Sequence, residues 1–164
     1  MPEIIATPKK RVQWEARLVS EYVSHTYPND RQLFQVRVGP VNPRLRDQDL
    51  TPAEIKMLGV WRPRLDALVI RPDSLIAIEA SVVLDLGKPS QLDTYRDLLP
   101  NTPELRDLAH LPITAILLSL LDYDLLRLQA TKYGLAFVVY RPKWCAECID
   151  ARAPRSGADK RLFD

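Results

Sequence analysis

Hydrophobic and polar positions follow two different periods along this chain, and the first period is helical. Apolar residues recur at three- and four-residue spacing near the start, and the pair Thr7-Pro8 is typical of a helix start. The apolar stripe of this predicted helix consists of Val12, Ala16, Leu18, Val19, Tyr22 and Val23. Glu15 falls on the same face, so a carboxylate is predicted to approach the buried side of the helix.

Short apolar runs after this helix predict strands. Residues 33–38 alternate as a half-buried strand that ends at Gly39-Pro40. The runs LDALVI (65–70) and LIAIEA (75–80) are separated by RPDS, which is typical of a turn. These two runs therefore predict a β-hairpin.

The second half of the chain alternates helices with strands. The predicted elements are a helix over 89–99, a short helix over 104–109, a strand over 113–118, a helix over 124–133 ended by Gly134, and a strand over 135–140. The order α-β-β-β-α-β-α-β, with continuous apolar runs in the later strands, predicts an α/β fold with a mixed central sheet flanked by helices.

The predicted organisation is one domain with an insertion and a tail. The domain covers residues 1–150, and residues 40–60 form an irregular insertion with a short helix that begins at Thr51-Pro52. The polar segment 151–164 predicts a C-terminal tail.

Composition narrows the class of protein. The chain has 164 residues, of which 46% are hydrophobic and 27% charged, and these values suit a single globular domain. No apolar run reaches the ~20 residues of a membrane span, and the N-terminal segment is too short and polar for a signal peptide. We therefore expect a cytoplasmic location and no membrane partner. A net charge of +2 excludes a strongly basic coat protein of nucleic acid but allows a local basic groove.

Cys145 and Cys148 form one Cys-x-x-Cys pair. A structural zinc site would need two further ligands, but the chain has no second cysteine pair, and His25 and His110 are isolated in sequence. The preferred interpretation is two ordinary thiols on the last helical turn.

Two acidic residues stand inside the predicted hairpin. If the turn joins the strands without a bulge, Ile70 faces Leu75 and Asp66 lies directly opposite Glu79. Carboxylates so close together repel each other, so either one of them takes up a proton or a cation lies between them. Oxygen ligands of this kind suit Mg²⁺ or Mn²⁺.

Two further polar residues are predicted near these acids. Strand alternation puts Ser81 on the face of Glu79, and Glu15 can approach that face from the first helix. Two alternatives remain open. Arg62 or Arg64 would neutralise the acids at a sheet edge, or a one-residue bulge would separate them.

This pattern resembles the PD-(D/E)XK nuclease-like superfamily over about residues 8–145. The matching residues are Glu15 in the first helix, Asp66 in RPRLDALVI, Glu79 in IAIEAS, and Gln91 and Tyr95 in GKPSQLDTYRDLL. The later segments ITAILLS, LLRLQATKYG and LAFVVYRPKW match its topology. The resemblance implies a restriction-endonuclease-like core.

For active members, the resemblance implies a role for each matched position. Asp66 and Glu79 would bind one or two Mg²⁺ ions, with the carbonyl of Ala80 as a further ligand. Glu15 would support a second metal ion or a water molecule. Gln91 would orient a site ligand or a phosphate.

The sequence departs from the superfamily pattern at Ser81, where active members have a lysine that orients or activates the attacking water. A serine brings no positive charge and is a poor base near neutral pH. Lys88 is the nearby candidate for a migrated lysine, but its place between Gly87 and Pro89 predicts a solvent-exposed loop. Without such a lysine, the domain would keep the scaffold and lose efficient hydrolysis.

A basic stretch precedes the predicted site. It consists of Arg37, Arg44, Arg46, Lys56, Arg62 and Arg64. These residues either track a DNA backbone through phosphate contacts or solvate a loop that also carries acidic residues. Trp14, Trp61 and Trp144 are predicted to be core or rim residues rather than base-stacking platforms, and Tyr95 is predicted to pack its helix on the sheet.

Two functions follow from the resemblance. The slightly preferred one is a catalytically degenerate relative that binds nucleic acid or serves as a structural component among protein partners in a larger assembly. A phage or mobile-element origin, suggested by the resemblance alone, would make it virion-associated. The other function is an active Mg²⁺-dependent DNA endonuclease with a variant or migrated lysine. Retention of Asp66 and Glu79 favours the endonuclease, whereas Ser81 favours the degenerate relative.

Overall fold

The computed structural model describes residues 13–40, 51–60 and 62–152. The helices are α1 (Trp14–Thr26), α2 (Pro52–Val60), α3 (Lys88–Leu98), α4 (Asp124–Lys132) and α5 (Cys145–Arg152). The strands are β1 (Arg31–Arg37), β2 (Arg64–Ile70), β3 (Leu75–Ser81), β4 (Ile113–Ser119) and β5 (Ala136–Val139). Two short 3-10 segments, Leu99–Asn101 and Pro103–Leu108, follow α3. The predicted order of elements is confirmed, and α5 is an additional helix.

The five strands form one mixed sheet in the order β1-β2-β3-β4-β5. β1, β2 and β3 pair antiparallel, whereas β3, β4 and β5 pair parallel. Parallel neighbours need crossover connections, which α3 and α4 provide. The predicted α/β class with a mixed sheet is confirmed.

The two faces of the sheet carry separate cores. On β3, Ile76 and Ile78 belong to the core formed with α1 and α5, whereas Leu75 and Ala77 belong to the core under α3 and α4. Every residue of β3 is buried because helices cover both faces, and this explains why the strand reads as one continuous apolar run.

The first helix of the described residues begins at Trp14. The residue before α1, Gln13, has a ψ of 82°, outside the helical region, and it precedes the first helical residue, Trp14. Thr7, Pro8 and Val12 lie outside the described residues. Ala16, predicted in the apolar stripe, is exposed because its face of α1 borders an open groove rather than the sheet.

The short helix α2 begins where the sequence predicts. The amide of Glu54 donates to Oγ1 of Thr51 at 3.2 Å, and the amide of Thr51 donates to Oε2 of Glu54 at 2.7 Å. This reciprocal capping satisfies amides that the first helical turn leaves unpaired. Residues 41–50 of the predicted insertion lie outside the described part of the chain.

The C-terminal helix α5 completes the core on the α1 side. Cys145 and Cys148 are buried there as free thiols. Trp14 and Trp144 are buried and stack with ring centroids 5.6 Å apart, as expected of core residues, whereas Trp61 lies outside the described residues. α5 also includes Ala151 and Arg152, the first two residues of the predicted tail. Residues 153–164 are not described.

No helix within the described ranges is both long and apolar enough to cross a lipid bilayer.

Candidate active site

The β2–β3 hairpin has the register that its turn predicts. Pairing begins with Ile70 opposite Leu75 and continues without a bulge up to Ala67. In this register, the next residue of β2, Asp66, comes opposite Glu79 of β3. A one-residue bulge therefore does not separate the two acids.

At Asp66 and Glu79, hydrogen bonds from backbone amides to the two carboxylates take the place of the backbone–backbone pairing between β2 and β3. The amide of Asp66 donates to Oε2 of Glu79 at 3.2 Å, and the amide of Ala80 donates to Oδ2 of Asp66 at 2.9 Å. Each carboxylate thus accepts a hydrogen bond from the backbone of the opposite strand. These donors orient both carboxylates, and the one from the Asp66 amide acts to lower the pKa of Glu79.

The two acids differ in their access to solvent. Glu79 is buried, with 2% of its surface exposed, whereas Asp66 is half-buried and lines a cavity of about 340 Å³. The cavity is lined by Gln13, Trp14, Glu15, Ala16, Gln35, Asp66 and Arg152. A solvated ligand can therefore reach the acid pair from the side of Asp66.

Lys88 reaches the acid pair from the start of α3. Its Nζ lies 3.2 Å from Oε1 of Glu79 and 3.8 Å from Oε2 of Glu15. Only 14% of the lysine side chain is exposed, so the predicted solvent-exposed position is wrong. The turn before α3 is tightened by a hydrogen bond from the amide of Gly87 to Asp85, and Lys88 is already helical. Its aliphatic stem is then buried while the ammonium pairs with a carboxylate that would otherwise be buried without a counter-charge.

The charges at this site influence one another strongly. Burial, followed by the charge of Asp66, raises the pKa of Glu79 to about 7, although Lys88 and the Asp66 amide act in the opposite direction. Burial lowers the pKa of Lys88, but the attraction of Glu79, Glu15 and Asp66 outweighs burial and leaves this pKa above its ordinary value. Lys88 is therefore charged at neutral pH, while Glu79 is close to its titration midpoint.

Ser81 is part of a strand-end contact. It is fully buried, and its hydroxyl donates to the carbonyl of Val83 at 2.5 Å. Its register partner in β4, Ser119, makes the matching bond to the carbonyl of Leu121 at 2.6 Å. The two hydroxyls satisfy carbonyls where the parallel strands end.

Gln91 is not hydrogen-bonded to either acid in the described structure. Its side-chain amide donates to the hydroxyl of Tyr95, one turn further along α3. Tyr95 is buried in the core under α3, as predicted for a packing residue.

Arg62 does not neutralise the acid pair. It forms a two-pronged ion pair with Glu104, with distances of 2.6 and 2.8 Å, and this hydrogen bonding lowers the pKa of Glu104 to about 2. Arg62 is thus paired with Glu104 rather than with either acid. Of the other basic residues in that stretch, Lys56 and Arg64 are exposed, and Arg44 and Arg46 lie outside the described residues.

Two residues near Asp66 were not predicted from the sequence. Gln35 in β1 donates from Nε2 to Oδ1 of Asp66 at 3.3 Å, and Arg152 in α5 lines the same cavity. A polar residue in the alternating strand could have indicated Gln35. Nothing in the sequence indicated Arg152, which falls in the segment predicted as a tail.

The donor set fits a hard divalent cation. No group of three or more His, Cys, Asp or Glu residues in the described ranges forms a metal cage. Mg²⁺, however, is commonly held by one or two carboxylates together with water and substrate phosphate. Asp66 and Glu79 are two such carboxylates, pre-oriented by backbone amides, and the ammonium of Lys88 is a competing cation at Glu79.

No protein-family model matches this chain, and no curated protein matches it in sequence. Similar solved structures include a repair endonuclease from Pyrococcus abyssi, with a TM-score of 0.47 and 13% identity over 81% of this chain and 50% of that chain. EndoMS in complex with double-stranded DNA gives a TM-score of 0.46 and 13% identity over 84% of this chain and 49% of that chain. A protein from Vibrio cholerae gives a TM-score of 0.45 and 16% identity over 83% of this chain and 30% of that chain.

The likeness is one of fold. What the strand order confirms is the predicted α/β class with a mixed central sheet. This chain spans about half the length of the two endonucleases, and identities this low assign no role to any residue.

Proposed function

We propose that this chain is a Mg²⁺- or Mn²⁺-dependent DNA endonuclease in which Lys88 supplies the positive charge that Ser81 lacks. The observation that supports this function is the 3.2 Å contact between Nζ of Lys88 and Oε1 of Glu79. A lysine is required at one point in space rather than at one position in the chain. Lys88 meets that requirement from the start of α3.

Asp66 and Glu79 would hold the metal ion. When bound, such an ion would neutralise charge on the scissile phosphate and lower the pKa of a water molecule. The backbone amides of Asp66 and Ala80 keep the two carboxylates in one arrangement, so little reorganisation is needed. Access through the cavity at Asp66 leaves room for a phosphate.

Lys88 is suited to stabilising negative charge. Its pKa lies above the ordinary value, so it is a poor general base at neutral pH. A protonated ammonium beside the acid pair would instead donate a hydrogen bond to a water or to a phosphate oxygen as charge develops there. Glu15, 3.8 Å from the ammonium, would help to hold it in place.

A second function is supported by the same contact. The ammonium of Lys88 already neutralises Glu79, so the acid pair would be stable without a metal ion. The domain would then be a degenerate relative that binds DNA, or that joins protein partners in an assembly such as one of phage or mobile-element origin, without hydrolysis.

A plasmid-nicking assay with Mg²⁺ or Mn²⁺ distinguishes the two proposed functions. The endonuclease predicts cleavage by the wild type and losses of roughly 100-fold or more in Asp66→Asn, Glu79→Gln and Lys88→Met. The exposed residues Asp107 and Lys143 provide matched controls, because Asp107→Asn and Lys143→Met remove the same charges at positions that do not line the cavity beside Asp66.

Retention of wild-type nicking by either acid variant would overturn the metal-dependent endonuclease. Absence of wild-type nicking together with DNA binding in a filter or mobility-shift assay would establish the second function. Loss of nicking in the acid variants alone, with Lys88→Met fully active, would show metal chemistry that does not use Lys88.

A further inference from the structure

Gln35 has a backbone conformation that is unfavourable for its residue type. Among the non-glycine residues that the structure describes, it alone has a positive φ, 52°. The left-handed region costs a non-glycine residue about 1–2 kcal/mol, and glycine or asparagine adopts it more readily. A long side chain in this region indicates that the side chain itself is used.

The position of this strained residue is opposite Asp66. Phe34 and Val36 on either side of it pair with β2, but the β1–β2 pairing skips Gln35, at the point where Asp66 stands on the neighbouring strand. The distortion of β1 therefore coincides with the part of β2 that carries the candidate metal ligand.

The side chain of Gln35 completes the orientation of Asp66. Nε2 of Gln35 donates to Oδ1 at 3.3 Å, and the amide of Ala80 donates to Oδ2 at 2.9 Å. One carboxylate oxygen is thus held from β1 and the other from β3. Each oxygen accepts one hydrogen bond and keeps a further lone pair for a cation.

Asp66 has space in which to move if this contact is lost. It lines the cavity of about 340 Å³ and also a second one of about 210 Å³, and Gln35 and Ala16 line both. A half-buried carboxylate between two cavities could turn away from Glu79 into either of them. Restricting it beforehand lowers the entropy that cation binding would otherwise have to remove.

We propose that Gln35 is a positioning residue for Asp66, whose donated hydrogen bond holds the carboxylate toward Glu79 and so increases the affinity of the acid pair for a divalent cation. This inference rests on the metal site of the proposed function, but it does not require DNA cleavage.

The test separates the backbone strain at residue 35 from the hydrogen bond that its side chain donates. Gln35→Gly releases the strain and removes the amide, whereas Gln35→Met keeps the strain and removes only the donor. Gln35→Asn tolerates the same φ and retains a shorter amide, so it serves as a partial rescue. Gln129→Met, on α4, removes a glutamine away from the site and serves as the control.

The measurements are the affinity for Mn²⁺ by titration calorimetry without DNA and the thermal midpoint of the metal-free protein. We expect Gln35→Gly to raise the midpoint and yet to weaken Mn²⁺ binding by roughly 10-fold, the usual effect of removing a residue that orients a metal ligand. Gln35→Met should weaken binding equally without raising the midpoint, and Gln35→Asn should fall between wild type and Gln35→Met. A purely structural role would not make stability and affinity move in opposite directions.

Unchanged Mn²⁺ affinity in both Gln35→Gly and Gln35→Met would overturn the inference, even if the wild type cleaves DNA. A wild type that binds Mn²⁺ through Asp66 without cleaving DNA would contradict the endonuclease and leave the role of Gln35 standing. If no Mn²⁺ binding is lost in Asp66→Asn, the metal site and the positioning role both fail.

Discussion

The ammonium of Lys88 lies 3.2 Å from Oε1 of Glu79, a residue of the neighbouring strand nine positions earlier in the chain. The superfamily pattern would place a lysine at Ser81, on the same strand as the glutamate. In this protein the charge comes instead from the first residue of α3. The positive charge beside Glu79 therefore comes from the element that follows its strand.

Removal of the lysine charge should destabilise the protein above neutral pH. Lys88→Met leaves Glu79 buried without its counter-charge, and we expect a loss of about 2–3 kcal/mol of unfolding free energy near pH 8. The loss should shrink near pH 5, where Glu79 is protonated. Urea denaturation at both pH values measures it, with Lys143→Met as the matched control. Equal losses at the two pH values would contradict the ion pair.

Removal of the buried glutamate charge should have the opposite effect. The pKa of Glu79 is raised to about 7 in the folded protein, so the folded state binds more protons than the unfolded state between about pH 4.5 and pH 7. The contribution of Glu79 to the free energy of unfolding is fully present below about pH 4.5, and it is lost as pH rises from there to about 7. Glu79→Gln mimics the protonated form and should exceed the wild type by up to about 3 kcal/mol near pH 8.

The stability difference between Glu79→Gln and wild type should shrink as pH falls from 7 and vanish only below about pH 4.5. Thermal unfolding of both proteins across this pH range provides the measurement. A variant less stable than wild type near pH 8 would show that the charged form of Glu79 is favoured in the fold.

A divalent cation should stabilise the wild type. If Mg²⁺ or Mn²⁺ binds the folded acid pair and not the unfolded chain, a concentration 100 times the dissociation constant adds about 2.7 kcal/mol. The thermal midpoint should rise on adding the cation and return on adding a chelator. Asp66→Asn should abolish this response, while Asp107→Asn should keep it. An equal response in Asp66→Asn would place the cation elsewhere.

Cleavage should increase with pH through the titration of Glu79. Because its pKa is about 7 and the charged form binds cations, log kcat/KM should rise with unit slope below about pH 7 and level off above it. Protons and cations compete for the same carboxylate, so a higher Mg²⁺ concentration should lower the midpoint. A midpoint independent of Mg²⁺ would exclude Glu79 as the titrating ligand.

Replacing Ser81 should affect stability more than cleavage. Ser81→Ala removes the hydrogen bond to the Val83 carbonyl, and we expect a loss of about 1–2 kcal/mol of unfolding free energy with nicking rates changed only a few-fold. Ser119→Ala, which removes the matching bond in β4, is the control for stability. A large loss of nicking in Ser81→Ala but not in Ser119→Ala would give Ser81 a direct role.

Local pattern was sufficient to predict the hairpin. A four-residue turn between two apolar runs restricts which residues can pair, so the sequence predicted Asp66 opposite Glu79, but only the observed pairing decided against the bulge that the sequence left open. The order of helices and strands followed in the same way, because each element is encoded by a period within its own segment. The helix start predicted at Thr7-Pro8 lies outside the described residues and stays a prediction.

The surroundings of the two acids were decided by the tertiary structure. Whether Lys88 faces solvent or Glu79 depends on how the turn before α3 packs against β3, and the left-handed conformation of Gln35 has no signature in a strand that alternates normally. Ser81 was likewise placed correctly on its strand, yet its hydroxyl is bonded at the strand end. Periodicity specifies which face a residue occupies, because that depends on neighbours along the chain. The partner that its side chain meets depends on distances between separate elements, and only the folded chain sets those distances.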